Sequence, residues 1–178
     1  MGEVMLTFDV GTQSLRGMLM NQKGEIEAFV QKKYEPPYFS KKPGWAEQKP
    51  NFYFDCLCQV AKQLKEKSEN GFDNVIGVAI AAIRDTCLCL DEKYEPIRDI
   101  IVWPDSRETN SGTNLRPLLK GGLKIVGMDE VMLTQHRVTK ANWIMDQEPD
   151  NWKKTAKFVM LPTYLNYKLT GQLKDSAA

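Results

Sequence analysis

The sequence predicts an α/β protein: a mixed sheet with an antiparallel three-strand meander at one edge and helices on its flanks. Two observations carry this. Three strand-like runs follow one another between Glu3 and Glu35, joined by turns too short for any pairing but antiparallel. The spacing then becomes helical, and a continuous apolar run, Asn74–Ile83, reads as a central strand covered on both faces.

Each element has its own signal. Glu3–Val10 is a buried strand, Gly11–Gln13 a turn, and Ser14–Met20 the second strand. Asn21–Glu25 (NQKGE) is a second turn, and the alternation of IEAFVQKKYE makes the third strand. Four prolines and a glycine make Pro36–Pro50 a loop. Phe52, Cys56, Val60 and Leu64 mark one face of a helix over Asn51–Lys67, with Asn70-Gly71 as its stop. Short strands are expected at TCLCLD (86–91) and DIIVW (99–103). A polar helix should open at Pro104 and end at Lys120–Gly122. A further helix over Val138–Asp146 carries Trp143 on its apolar side. KFVML (157–161) is a strand, and Pro162 begins a last helix that ends at LTG.

With 178 residues the chain can bury a real core, and one domain is the simplest organisation. Its 24 basic and 23 acidic residues leave a net charge of +1, so no charge argument favours nucleic acid or an anionic membrane. No apolar stretch approaches the roughly 20 residues that span a bilayer, and Glu3 sits where a signal peptide is basic. A cytoplasmic protein is therefore expected. The cysteines form two C-x-C pairs, Cys56/Cys58 and Cys87/Cys89. With His136 the only histidine, they read as small hydrophobes rather than zinc ligands.

The chemistry concentrates in LTFDVGTQSLRGML (6–19). A tight turn lined with small polar residues aims several N–H groups at one point and makes an anion site, to which Thr12 and Ser14 add hydroxyls. Asp9 could hold Mg²⁺ through water, the mode that ion prefers beside phosphate oxygens. Arg16 could contact phosphate or pair with a carboxylate and hold the hairpin in shape. Taken alone, the stretch reads more simply as a turn.

The segments together resemble the N-terminal domain of the FGGY carbohydrate kinases. Asp9-Val-Gly11-Thr12-Gln13-Ser14-Leu-Arg16 matches the family's D-x-G-T-x-S-x-R phosphate hairpin. PGWAEQKP (43–50) is similar to its P-G-x-x-E-x-x-P loop, and AIRDTCLCLD (82–91) to its substrate-contacting strand–turn–strand. IVWPDSRE (101–108) resembles I-x-W-x-D-x-R, and LPTYLNYKLTG (161–171) resembles L-P-x-D-Y-L-x-x-x-L-T-G. The motifs fall in family order over nearly the whole chain.

The resemblance implies an RNase H-like (actin-like ATPase) domain and ATP-dependent phosphorylation of a sugar or polyol, with ATP and Mg²⁺ as cofactors. Asp9, Gly11, Thr12, Gln13, Ser14 and Arg16 would grip the phosphates and the ion. Arg84, Asp85, Trp103, Asp105 and Gln135 would line the sugar site. An arginine and a carboxylate can serve both hydrogen-bonding roles of a sugar hydroxyl, while an indole covers its C–H face. Without the resemblance, Arg84–Asp85 reads as a structural ion pair, Trp103 as core filling, and Asp105 and Arg107 as helix-start charges. Lys140 fits a family lysine or an exposed face. Gln135 stands where glycerol kinases carry tyrosine, and Arg84-Asp85 where xylulokinases carry M-H, so neither of those substrates is favoured.

The resemblance also implies that residues 1–178 are the substrate-side N-terminal domain, truncated before the nucleotide lobe. The general-base aspartate would lie beyond residue 178, so the chain alone should be inactive, and a homo-oligomer of the whole protein is possible. Two other classes stay open: an actin-like ATPase module that drives a partner, and a non-catalytic sugar-binding domain. Loss of sugar-stimulated ATP use on replacing Arg84, Asp85 and Trp103 separates the kinase from the first. Useful sugar affinity in the isolated chain would favour the second.

Overall fold

A computed structural model describes residues 2–68, 72–110, 124 and 127–175. The first sheet has the order β3-β2-β1-β5, from β1 (Val4–Val10), β2 (Ser14–Asn21), β3 (Ile26–Lys33) and β5 (Val75–Ala82). The meander is antiparallel and β5 runs parallel to β1, which makes the sheet mixed. A second, antiparallel sheet has the order β4-β7-β6-β8, from β4 (Glu47–Gln48), β7 (Ile100–Ile101), β6 (Cys87–Leu90) and β8 (Lys157–Met160).

Strict alternation in β1 sends Val4, Leu6, Phe8 and Val10 into the core. That face meets α1 (Phe52–Lys67), whose Tyr53, Cys56, Leu57, Val60 and Leu64 are buried at helical spacing. Full burial of one such leucine contributes about 1.5–3 kcal/mol. Helix and sheet approach so closely at Gly17 that a Cβ there would stand 2.5 Å from Val60 Cγ1 and 2.8 Å from Leu64 Cδ1. A last helix, α5 (Leu161–Thr170), adds Leu161, Tyr164 and Leu165 to the same core.

Several expectations change. β5 is an edge strand among the described residues, not a central one, and Ile76 and Val78 on it are 59% and 49% exposed. An unbroken apolar run records suitability for burial but not which neighbours supply it. The helix expected over Val138–Asp146 is the second of two, α2 (Asp129–Val138) and α3 (Lys140–Gln147), parted by an extended Thr139. No helix opens at Pro104: Trp103 and Pro104 turn and 105–110 are irregular, because the Asp105 side chain is bonded elsewhere. The remainder of that expected helix to Gly122, and the stop at Asn70-Gly71, lie outside the described residues. The loop at Pro36–Pro50 contains β4, and a short helix, α4 (Pro149–Lys154), precedes β8 without having been anticipated. Among the described residues no helix is long and apolar enough to cross a membrane.

Candidate active-site cleft

The hairpin forms as its residues require. The Gly11 N–H donates to the Ser14 carbonyl at 3.0 Å, and a Cβ on Gly11 would lie 3.1 Å from that oxygen, so the tight turn favours glycine. Asp9 and Arg16 are register partners on β1 and β2, and Arg16 Nη1 donates to Asp9 Oδ2 at 2.8 Å. Of the two roles open to Arg16, pairing with a carboxylate is the one it adopts. Thr12 is half-buried and Gln13 exposed, whereas Ser14 is buried and its Oγ accepts from Gln31 Nε2 at 3.0 Å.

The turn after β5 stands beside the hairpin, because the Ile83 N–H donates to the Val10 carbonyl at the matching end of β1. Arg84 and Asp85 form that turn and are exposed. Asp85 has φ of 54°, a left-handed conformation rare for non-glycine residues and concentrated at functional sites. Behind it Thr86 is fully buried, and its Oγ1 accepts the Trp103 backbone N–H at 3.3 Å. The Trp103 indole reaches forward and donates from Nε1 to Thr12 Oγ1 at 2.7 Å.

A cavity of about 440 Å³ opens beside these residues. Asp85, Trp103, Asp105 and Gln135 line it, as do Lys140 and Cys87. Arg84 is not part of its wall. Burial pushes the Cys87 thiol up to about 12, which keeps it neutral. Polar groups around an apolar floor of Phe158 and Met160 suit a small polyhydroxylated molecule.

Asp105 serves the wall rather than the space. Its Oδ2 accepts the Ala46 N–H at 2.7 Å and Arg107 Nη2 at 2.7 Å, while Oδ1 accepts Arg107 Nε at 2.7 Å. Burial opposes its charge, but Arg107 and these N–H groups outweigh that and hold the carboxyl below its usual range. Lys140 donates to the Asp105 carbonyl at 2.7 Å. The Arg107 guanidinium carbon is 3.9 Å from the ring centroid of Trp45 and 4.5 Å from that of Trp143. Glu47 Oε1 accepts from Arg107 at 3.1 Å and from the half-buried Arg98 at 2.7 Å, and Arg98 also binds Glu148. Burial opposes the charge of Glu148, yet Asn151 and Arg98 lower its carboxyl. Sequence reasoning assigned no role to Glu47, Arg98, Glu148 or Thr86. Glu47 stands in the P-G-x-x-E-x-x-P loop motif, but no local signal names its partners or marks Arg98, Glu148 or Thr86, since the pairs Arg98–Glu47, Arg98–Glu148 and Thr86–Trp103 are 51, 50 and 17 residues apart.

Fold and cleft together define an α/β domain of the actin-like, RNase H-like class, a hairpin at one strand end beside a cavity of mixed polar and apolar lining. The chain belongs to the FGGY family of carbohydrate kinases: residues 4–176 match the family's N-terminal domain. It is 30% identical to a glycerol kinase of Janthinobacterium sp. (strain Marseille), over 99% of this chain and 36% of that protein. It is 25% identical to a xylulose kinase of Bacillus subtilis (strain 168), over 94% of this chain and 33% of that protein. Among solved structures, xylulose kinase from Rhodospirillum rubrum superposes with a TM-score of 0.76 at 23% identity, over 96% of this chain and 35% of that one. Gluconate kinase from Lactobacillus acidophilus gives 0.73 at 20% identity, over 96% and 34%. The chain spans about a third of the length of the curated relatives it matches.

Proposed function

We propose that the protein carrying this chain transfers the terminal phosphoryl group of ATP to a hydroxyl of a sugar or polyol, and that residues 1–178 form its substrate-side N-terminal domain. The observation that carries this reading is the adjacency of hairpin and cavity, tied together by the hydrogen bonds of Ile83 to Val10 and Trp103 to Thr12. Phosphoryl transfer asks a protein mainly for positioning and charge neutralisation, so an anion-gripping turn beside a hydroxyl-binding pocket is the arrangement it needs.

The backbone N–H groups of Thr12–Ser14, with the side chains of Thr12 and Gln13, would hold the phosphates, while the Gly11 N–H closes the turn on the Ser14 carbonyl. Ser14, already bonded to Gln31, would support the turn from beneath. Asp9 fits an ion held through water: Arg16 occupies Oδ2 and Oδ1 is left open. Mg²⁺-ATP, when bound, supplies the phosphoryl group and part of the charge compensation. In the cavity Asp85 and Gln135 would orient the hydroxyls, with Arg84 in the adjoining exposed turn, while Trp103 would cover the C–H face and exclude water. Asp105 would act indirectly by fixing the loop that bears Trp103. The base that takes the hydroxyl proton would come from outside residues 1–178.

The test is ADP release by the whole protein with glycerol, D-xylulose or gluconate as acceptor. The expected result is stimulation by at least one of them over the acceptor-free rate, lost on Trp103→Ala or Asp85→Ala. ATP turnover that none of a broad polyol panel alters would replace this reading with a partner-driven ATPase.

A further inference from the structure

Trp103 belongs to two places at once. Its ring lines the cavity, while its Nε1 donates to Thr12 Oγ1 at 2.7 Å across 91 residues of chain. The two ends of the residue are held differently. The backbone N–H is fixed to buried Thr86, whose own carbonyl accepts the Leu161 N–H at 2.8 Å. Trp103 is 52% exposed, and its indole N–H donates to Thr12.

A hydroxyl has one proton to donate and two lone pairs to accept with. Trp103 uses a lone pair of Thr12 and leaves its O–H able to donate. Thr12 stands in the anion-gripping turn next to Gly11, so an anion there is an acceptor within the reach of that proton. In a chain of the form N–H···O–H···anion each bond polarises the next, and the whole is stronger than its parts. The indole and the anion thereby come to favour each other's ordered positions.

We propose that Thr12 and Trp103 form a hydrogen-bonded relay that couples occupancy of the cavity by a polyol to the binding of a nucleotide's terminal phosphate at the hairpin. The relay rests on the reading in the preceding section and adds to it a specific link between the two substrates. An anion on Thr12 pulls the indole into place over the pocket. A polyol stacked under the indole presets the Thr12 proton toward the phosphate. Coupling of this kind is reciprocal: each ligand tightens the other by one common factor.

The experiment is calorimetric binding of the acceptor to the whole protein with and without adenylyl imidodiphosphate, a nonhydrolysable ATP analogue. The acceptor is whichever member of a sugar and polyol panel that includes glycerol, D-xylulose and gluconate is turned over fastest. The readout is the ratio of the two Kd values, which separates coupling from any direct loss of affinity. In the unaltered protein the ratio is expected at about fivefold or more. Thr12→Val, which removes the hydroxyl, and Trp103→Phe, which keeps an aromatic face but no N–H, should each bring it below about twofold; Thr12→Ser should restore it. Thermal melts check that the variants fold. A Trp103→Phe protein whose acceptor affinity falls equally with and without the analogue would overturn the relay and leave Trp103 as a simple lid. An unaltered protein that neither binds nor turns over any member of a broad sugar and polyol panel would overturn both the relay and the kinase reading beneath it.

Discussion

Arg107 and Asp105 hold each other through two parallel hydrogen bonds of 2.7 Å, Nε to Oδ1 and Nη2 to Oδ2, at positions 4% and 5% exposed. The pair is out of water, stacked beside Trp45 and Trp143, and shares Glu47 with Arg98. It joins the loop before α1 to the segment that carries Trp103.

Removing one partner of a buried pair leaves the other uncompensated. Arg107→Ala should therefore cost about 3–5 kcal/mol in urea unfolding. Arg107→Lys should recover only part of that, because an ammonium offers neither the planar fork nor the same stacking on indole. A loss below about 1 kcal/mol for the alanine variant would show that the pair does not hold the loop.

Acid should unfold the protein through the same network. The carboxyls of Asp99, Asp105 and Glu148 lie below their ordinary values of 3.8, 3.8 and 4.5. Burial works against their charge in each case, and Lys41 with Lys49, Arg107, and Asn151 with Arg98 outweigh it. The unfolded chain takes up these protons at a higher pH than the folded one. The stability they contribute is thus complete above about pH 5 and lost as pH falls through the lowered folded values. The melting temperature should be level from about pH 7 to 5 and fall steeply below about 4. A level profile down to pH 3, on the order of one unit lower, would contradict this.

Gly17 sets the distance between α1 and the first sheet. Gly17→Ala would force Val60 and Leu64 aside and should cost about 1–3 kcal/mol. Gly77 is the internal control, because a Cβ there meets only the flexible end of Met5, at 3.1 Å and 3.2 Å. Gly77→Ala should change stability by less than about 1 kcal/mol. Equal effects in thermal unfolding would mean that the close approach at Gly17 is easily relieved.

Asp9→Ala in the whole protein should collapse Mg²⁺-ATP turnover and leave acceptor binding nearly unchanged, since Asp9 pairs with Arg16 on the hairpin and does not line the cavity. Arg16→Ala should lower turnover less. Its pair with Asp9 is nearly half exposed on both sides, so its loss should cost no more than about 1 kcal/mol of stability. Steady-state kinetics with separate acceptor titration decide; undiminished turnover in Asp9→Ala would remove the ion-holding role.

The elements and the hairpin could be read from the sequence because their causes are local. Alternation in Val4–Val10, helical spacing through Val60 and Leu64, and the small residues at Gly11–Ser14 each specify a face or a turn within a few neighbours. The ordered motifs then carried the family. Tertiary structure alone decided what those faces meet. Only register and packing bring Glu47 between Arg98 and Arg107, set β5 at an edge and divide the helix at Thr139. The same holds for the approach of Trp103 to Thr12, 91 residues away. Periodicity states which side of an element is buried; which distant side chain completes a buried charge or an indole N–H depends on how whole elements dock.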